Sequence, residues 1–358
     1  MNKAYKFRIY PTKSQEVLLA KTFGCVRYFW NQCVATFNSY DKEKNPNPEY
    51  KTSTALRNEL EWMKEVSAAA IQQKEIDFKE FKKQRFSKTR KKAINNPQFK
   101  SKSNRQSYRL PNQKFKLLEG KVQLEKIGKV RLIQDRGVVG RPLSITVAKN
   151  PSGQYFVTII CDSESTHLPK TNKSVGIDVG LKEFLTTSEN KSISNPRYFR
   201  KSQAKLAKVQ RSLSRKVKGS KRRGKCRKRV AKVYQKITNQ RDWFLHNVST
   251  QLIREFDTIV IEDLNVAGMV KNRNLAKSIS DASFNKFFQM LSYKAEWYGK
   301  EVIKIGRFEP TSKKCSGCGW EKPDLTIKDR TFECECCGLT IDRDYNAAIN
   351  IKQIGLRA

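Results

Sequence analysis

The stretch Ser174-Val-Gly-Ile-Asp-Val-Gly-Leu181 reads as a buried strand that carries one acid. Val175, Ile177 and Val179 are β-branched, and Gly176 and Gly180 let other backbone come close. A carboxylate inside such a strand is costly unless something pairs with its charge, and a divalent metal is the usual partner of clustered carboxylates. Two distant stretches can supply more acids. Thr258-Ile-Val-Ile-Glu-Asp-Leu264 is another apolar strand ending in acids, and in Ile341-Asp-Arg-Asp-Tyr-Asn-Ala-Ala-Ile-Asn350 Asp344 opens a helical run. Asp178, Glu262 and Asp344 are therefore expected to meet at one end of a sheet. Taken singly, each acid reads as a cap or an ion-pair partner. Together, two at apolar strands and one at a helix start, they favour an α/β chain with a ribonuclease-H-like nuclease core. Carboxylate oxygens suit Mg²⁺ or Mn²⁺. Two such ions about 4 Å apart can activate a water and stabilise a leaving oxygen in phosphodiester hydrolysis.

Cys315-Ser-Gly-Cys318 and Cys334-Glu-Cys-Cys337 form two CxxC pairs separated by fifteen residues. Two tight knuckles of this kind present four thiolates tetrahedrally, the pattern of a zinc ribbon. Cys336 lies inside the second knuckle, and the two-residue spacing selects Cys334 and Cys337. Four thiolates leave no open position, so one structural Zn²⁺ is expected.

Charge sets the class of partner. Among 358 residues, Lys and Arg number 73 against 34 Asp and Glu, a net charge of +39. Such an excess opposes compaction unless a polyanion shares the space, and nucleic acid fits better than an anionic membrane. Between Asn190 and Arg241 there is no acid at all, which points to a surface for phosphate backbone. No apolar run reaches spanning length and the N-terminus lacks the apolar segment of a signal peptide, so the expected location is cytoplasmic. The cysteines agree, since four form a metal pattern and the rest are scattered.

The first strand spans about residues 4–10, where Tyr5, Phe7 and Ile9 alternate with polar neighbours. Thr12-Lys-Ser-Gln15 is a capping box, and Leu19, Phe23, Val26, Trp30, Cys33 and Phe37 then form one helical stripe. Further helical patterns follow, and beyond Phe81 the chain turns basic through Lys82-Lys83, Arg90-Lys-Lys92 and Lys100. From about Tyr108 short alternating strands replace helices, at 121–125, 129–133, 143–147 and 154–161. They suggest a small antiparallel barrel joined by the first strand, with the helices of 12–100 as an insertion. In the second half, Phe184–Ser188 is the hairpin partner of the opening strand. Two basic helices flank Gly219-Ser220, and an amphipathic helix from Phe284 ends at Gly299.

In order, Gly-Ile-Asp178-Val-Gly, Ile-Glu262-Asp-Leu, the two CxxC pairs and Asp342-Arg-Asp344-Tyr-Asn-Ala-Ala-Ile-Asn350 resemble the TnpB (OrfB) family encoded by insertion sequences. Lys6–Thr12 through Trp30-Asn31, and Leu213–Lys216 with Gly219-Ser220 and His246, are similar to its N-terminal segment and its basic helices. The resemblance implies an RNA-guided DNA endonuclease related to type V CRISPR effectors. It implies a wedge β-barrel of residues 1–10 and 101–168 carrying a helical recognition lobe of 11–100. A RuvC nuclease core of 169–308 and 340–358 would be interrupted by a zinc ribbon of 309–339. The catalytic, magnesium-holding acids would be Asp178, Glu262 and Asp344, with Asp342 the weaker member of its pair. The zinc ligands would be Cys315, Cys318, Cys334 and Cys337. Residues 270–283 resemble the loop that covers the family's active site. The implied partners are a structured guide RNA, on which the protein sits as a monomer, and target double-stranded DNA beside a short motif. The implied setting is the nucleoid of a bacterial or archaeal cell. A guided repressor that no longer cuts would have lost catalytic acids, and all three are present. A conventional transposase would carry a sequence-specific DNA-binding domain of its own and need no RNA.

Overall fold

The computed structural model describes residues 1–357 apart from 42, 45, 88, 90–93, 327 and 328, so the basic run Arg90–Lys92 lies outside the described residues. The chain divides into two compact units, Met1–Glu164 and Ser165–Ala358.

In the first unit, strand β1 (Asn2–Tyr10) buries Tyr5, Phe7 and Ile9 on one face. The capping box then starts helix α1 (Lys13–Asn38): Gln15 N donates to Thr12 Oγ1 at 3.3 Å, and Thr12 N donates to Gln15 Oε1 at 3.0 Å. Helices α2 (Ser53–Glu59) and α3 (Ala68–Arg85) follow. Six strands complete the unit: β2 (Gln106–Pro111), β3 (Phe115–Leu118), β4 (Lys121–Leu124), β5 (Gly128–Ile133), β6 (Arg141–Lys149) and β7 (Tyr155–Asp162). They form one antiparallel sheet with β1, in the order β2-β6-β7-β1-β5-β4-β3. The first strand thus lies between β7 and β5, and the helices are inserted between it and β2. The expected barrel does not close by hydrogen bonding. Its end strands β2 and β3 are joined only through a single 3-10 turn, Asn112–Lys114, which gives a half-barrel.

The helices share the sheet's core instead of building a separate one. Leu19, Phe23, Phe29 and Ile71 are buried in one cluster with Phe7, Tyr108 and Val157. Trp30 and Asn31 hold the segment returning to β2: Trp30 Nε1 donates to Gln98 O, and Asn31 exchanges two bonds with the Lys100 backbone. The unit boundary lies four residues before the expected start of the core at 169. Thr166 N and Leu168 N donate to Trp297 O and Tyr298 O, which ties this segment to the second unit.

The second unit opens with β8 (Ser174–Asp178), β9 (Glu183–Thr187) and β10 (Ser192–Ser194). The basic helices α4 (Tyr198–Ser214) and α5 (Lys221–Glu255) come next, then β11 (Thr258–Glu262), α6 (Val266–Met269), α7 (Ala276–Ala282), α8 (Phe284–Tyr298) and β12 (Glu301–Ile305). Their sheet has the order β10-β9-β8-β11-β12: antiparallel from β10 to β8, parallel from β8 through β11 to β12. The chain ends with a short hairpin, β13 (Thr331–Glu333) and β14 (Thr340–Asp342), followed by α9 (Arg343–Arg357).

Strand alternation assigns the faces of this sheet. Val175, Ile177, Ile259 and Ile261 point into a core shared with Leu252 of α5 and Phe287 and Leu291 of α8. Gly176, Asp178, Val260 and Glu262 lie on the opposite face, against α9. That helix comes so close that a Cβ on Gly176 would stand 2.2 Å from Ala348 O, and one on Gly355 2.3 Å from Val260 Cγ1. Glycine at these two positions is a condition of the contact.

Candidate functional site

Strands β8 and β11 run parallel with Ile177 opposite Ile261, so the next residues, Asp178 and Glu262, sit side by side at the strands' carboxyl ends. Adjacent strands are about 4.8 Å apart. The third acid comes from α9. Its Ala348 lies over Gly176, and Asp344 is one helical turn earlier while Asp178 is two strand residues later. These steps are about 6 Å and 6.6 Å and run the same way, so the glycine contact delivers Asp344 towards Asp178.

Electrostatics records this convergence. Burial pushes the Asp178 carboxyl well above the usual carboxylate range, and the charges of Glu262 and Asp344 push it further; Arg343 and the Val179 N–H oppose the shift. The flanking acids are held individually. Thr311 Oγ1 donates to Glu262 Oε1 at 2.5 Å. Arg343 donates to Asp344 Oδ1 through Nε at 3.1 Å and Nη2 at 2.8 Å, while Arg330 Nη1 is 3.8 Å from Oδ2. Asp342 is engaged elsewhere: its Oδ1 accepts from Asp344 N and Tyr345 N, which caps α9. Asp263 pairs with Arg307 at 2.6 Å. The acids are less tightly gathered than the cysteines, which are the one set among the described residues whose ligand atoms all lie within 4.8 Å of one another. Asp178 between two further carboxylates, with its charged form disfavoured, is the environment that a hard divalent cation relieves.

Cys315, Cys318, Cys334 and Cys337 form that tight set, and Cys336 stays outside it. Two Sγ···Sγ distances are 3.7 Å (Cys315–Cys337) and 3.5 Å (Cys318–Cys334). Tetrahedral zinc with bonds of about 2.3 Å requires sulfurs about 3.8 Å apart, so the donor set fits. The hairpin supporting the second knuckle extends to Asp342, past the expected end at 339, because Thr331 pairs with Asp342.

Sequence reasoning missed the polar links between knuckle and acids. Asn346, fully buried, accepts from Ser316 N at 3.0 Å and donates to Lys314 O at 2.7 Å. Asn350 donates to Thr311 O at 2.7 Å and Lys314 O at 2.6 Å. Helix α9 therefore grips the first knuckle with one side while carrying Asp344 at its start, and Thr311 passes the grip to Glu262. Two asparagines four residues apart were the available signal.

Beside the acids lies an open cleft of about 440 Å³ whose lining includes Lys182, Arg197, Arg200, Lys277 and Arg330. Asp281, the acid in that lining, is already engaged with Arg241 at 2.8 Å and with Phe199 N. The segment 270–283, expected as a covering loop, holds α7 in its second half, with Ile279 and Ala282 in the core.

Comparison with known proteins agrees with this arrangement. Residues 154–273 match the OrfB_IS605 family model, described as "Probable transposase"; residues 284–351 match "Cas12f1-like, TNB domain" and residues 1–45 "Helix-turn-helix domain". In this chain residues 1–45 hold a strand and one long helix. The chain is 37% identical over 372 residues to a Streptomyces pristinaespiralis protein named "Putative RNA-guided DNA endonuclease", covering 100% of this chain and 90% of that one. It is 30% identical over 379 residues to InsQ of Escherichia coli K12, which bears the same description, covering 98% and 92%. The fold is shared, at 14% identity and a TM-score of 0.57 over 98% of both chains, with the protein in the "Cryo-EM structure of the Cas12f1-sgRNA-target DNA complex". On the family matches and the full-length identity to these relatives, the chain belongs to the TnpB (OrfB) family encoded by insertion sequences.

Proposed function

We propose that the protein is a metal-dependent, RNA-guided DNA endonuclease that pairs a bound guide RNA with duplex DNA beside a short motif and hydrolyses phosphodiester bonds at one site. The observation that carries this reading is the meeting of Asp178 and Glu262 on adjacent parallel strands with Asp344 on the helix packed over them. The sheet order, antiparallel from β10 to β8 and parallel from β8 through β11 to β12, supports reading this unit as a ribonuclease-H-like RuvC core. Within this reading residues 169–308 and 340–358 form that core, 309–339 the zinc ribbon, 1–10 and 101–168 the wedge, and 11–100 the recognition lobe. The wedge and lobe would read the motif. Relatives named as RNA-guided endonucleases support the class of activity.

Asp178, Glu262 and Asp344 would hold Mg²⁺ or Mn²⁺, which when bound supplies an activated water and stabilises the leaving oxygen. The chain's own groups do the rest. Thr311 fixes the Glu262 carboxylate, and Arg343 fixes that of Asp344. The cations of the neighbouring cleft would seat the strand's phosphates. Cys315, Cys318, Cys334 and Cys337 would bind one structural Zn²⁺. The protein would work as a monomer on its guide.

Cleavage of a guide-matched plasmid in Mg²⁺ tests the site. Asp178→Ala, Glu262→Ala and Asp344→Ala should each lower the rate at least a thousandfold, on the order of a lost catalytic group, with target binding retained. Full cleavage by any one of them removes that residue from the site.

A further inference from the structure

Phe308 is 93% exposed, more than any other large hydrophobic side chain among the described residues. An aromatic ring left in water forgoes burial that the fold could have used, and it stands on a loop with little freedom to retreat. On one side of it, Arg307 donates to Asp263 O at 3.1 Å and to Asp263 Oδ2 at 2.6 Å. On the other, Thr311 is buried, its N donates to Glu309 O, and its hydroxyl donates to Glu262. Both anchors are thus the consecutive acids at the end of β11. Phe308 and Thr311 are three positions apart, so the Phe308 Cα lies within about 11 Å of the residue that touches Glu262.

A ring presented to solvent this close to a carboxylate cluster has one partner chemistry that suits it. Unpaired bases have a π-face that stacks on aromatic side chains irrespective of sequence, and a guided nuclease must accept any sequence. We propose that Phe308 is a stacking platform for an unpaired base of the DNA strand being cut, a few nucleotides from the scissile bond, and so a positioning residue for the reaction. This rests on the nuclease reading above. Arg307 and Thr311 keep the platform in fixed relation to Glu262, and the stacked base would set which phosphate reaches the acids.

The test uses the RNA-loaded protein and target duplexes carrying single 2-aminopurines around the cut position, with Asp178→Asn in the fluorescence arm to prevent cutting. Stacking quenches 2-aminopurine. Quenching at one position is expected with Phe308 and with Phe308→Trp, and its loss with Phe308→Ala and Phe308→Leu. In the cutting arm, with Asp178 intact, Ala and Leu should lower cleavage roughly tenfold, in line with the loss of one base stack, and spread the cut over neighbouring phosphates, while Trp restores both. Thermal stability should be unchanged because the ring is almost wholly exposed. Equal quenching in Phe308→Ala, or full cleavage at the same phosphate in Phe308→Leu, overturns the proposal. Phe308-dependent quenching in a protein that never cuts would leave the platform standing and remove the nuclease reading.

Discussion

Asp178, half-buried at the end of β8, and Lys294 show how differently the fold treats two charges withdrawn from water. Among the described residues Asp178 has no ion pair and feels only the influence of Arg343, whereas Lys294, almost fully buried in α8, donates to His246 O, Ser249 Oγ and Thr250 Oγ1 on α5. Even so, burial and then the charge of Arg254 lower the Lys294 amine to about 8. The unfolded chain keeps that proton up to about pH 10.4. Between those values the unfolded state binds more protons, so this residue's contribution to stability rises with pH and falls again as pH drops through 8. Relative to Lys294→Met, the native protein should gain about 1–2 kcal/mol between pH 7 and pH 9.5, read from urea unfolding of both; a constant difference contradicts the shift. The acid of β8 was legible in the sequence because a carboxylate among β-branched residues is anomalous. Lys294 was not, because a lysine in an amphipathic helix looks the same whether its amine reaches water or three oxygens on a neighbour.

The contact between α9 and the first cysteine knuckle explains why the four-cysteine cluster sits so close to the acids in sequence. Asn346 and Asn350 close bonds to Thr311, Lys314 and Ser316 that no water-facing group could replace. Asn346→Ala leaves Ser316 N–H without its partner and removes one of the two donors to Lys314 O, which should cost about 1–3 kcal/mol, measured by denaturant unfolding of the zinc-loaded protein. Purified protein should carry one zinc per chain. Cys315→Ser and Cys337→Ser should lose it together with folding yield, while Cys336→Ser should stay within about 0.5 kcal/mol of the parent. Zinc-free protein with native stability contradicts this account. Strands with clear alternation and long helices with a stripe were readable, as was the capping box. The short helices α6 and α7 were not, having too few turns to show a period. Nor was the open edge of the half-barrel, since edge pairing depends on how far seven strands coil.

Across the whole chain, the net charge of +39 is concentrated where the fold leaves it unbalanced. Among the described residues, no ion pair involves a Lys or Arg of α4 or of α5 before Arg241, which pairs with Asp281. Such a surface repels itself, and a bound polyanion would relieve it. No helix among the described residues is long and apolar enough to cross a membrane. The charge was the most legible property of all; which polyanion it would suit depends on shape, which composition does not carry. Expressed with its native locus, the protein should co-purify with one discrete structured RNA, held by shape and phosphate contacts with a single-stranded end free to pair. The most direct measurement exchanges that free segment and maps the cuts in a plasmid bearing the matching sequence beside the same short motif. Cleavage should move to the new match and vanish when the RNA is digested before assembly. Cutting by RNA-free protein, or a cut that stays in place after the exchange, would contradict guided cleavage.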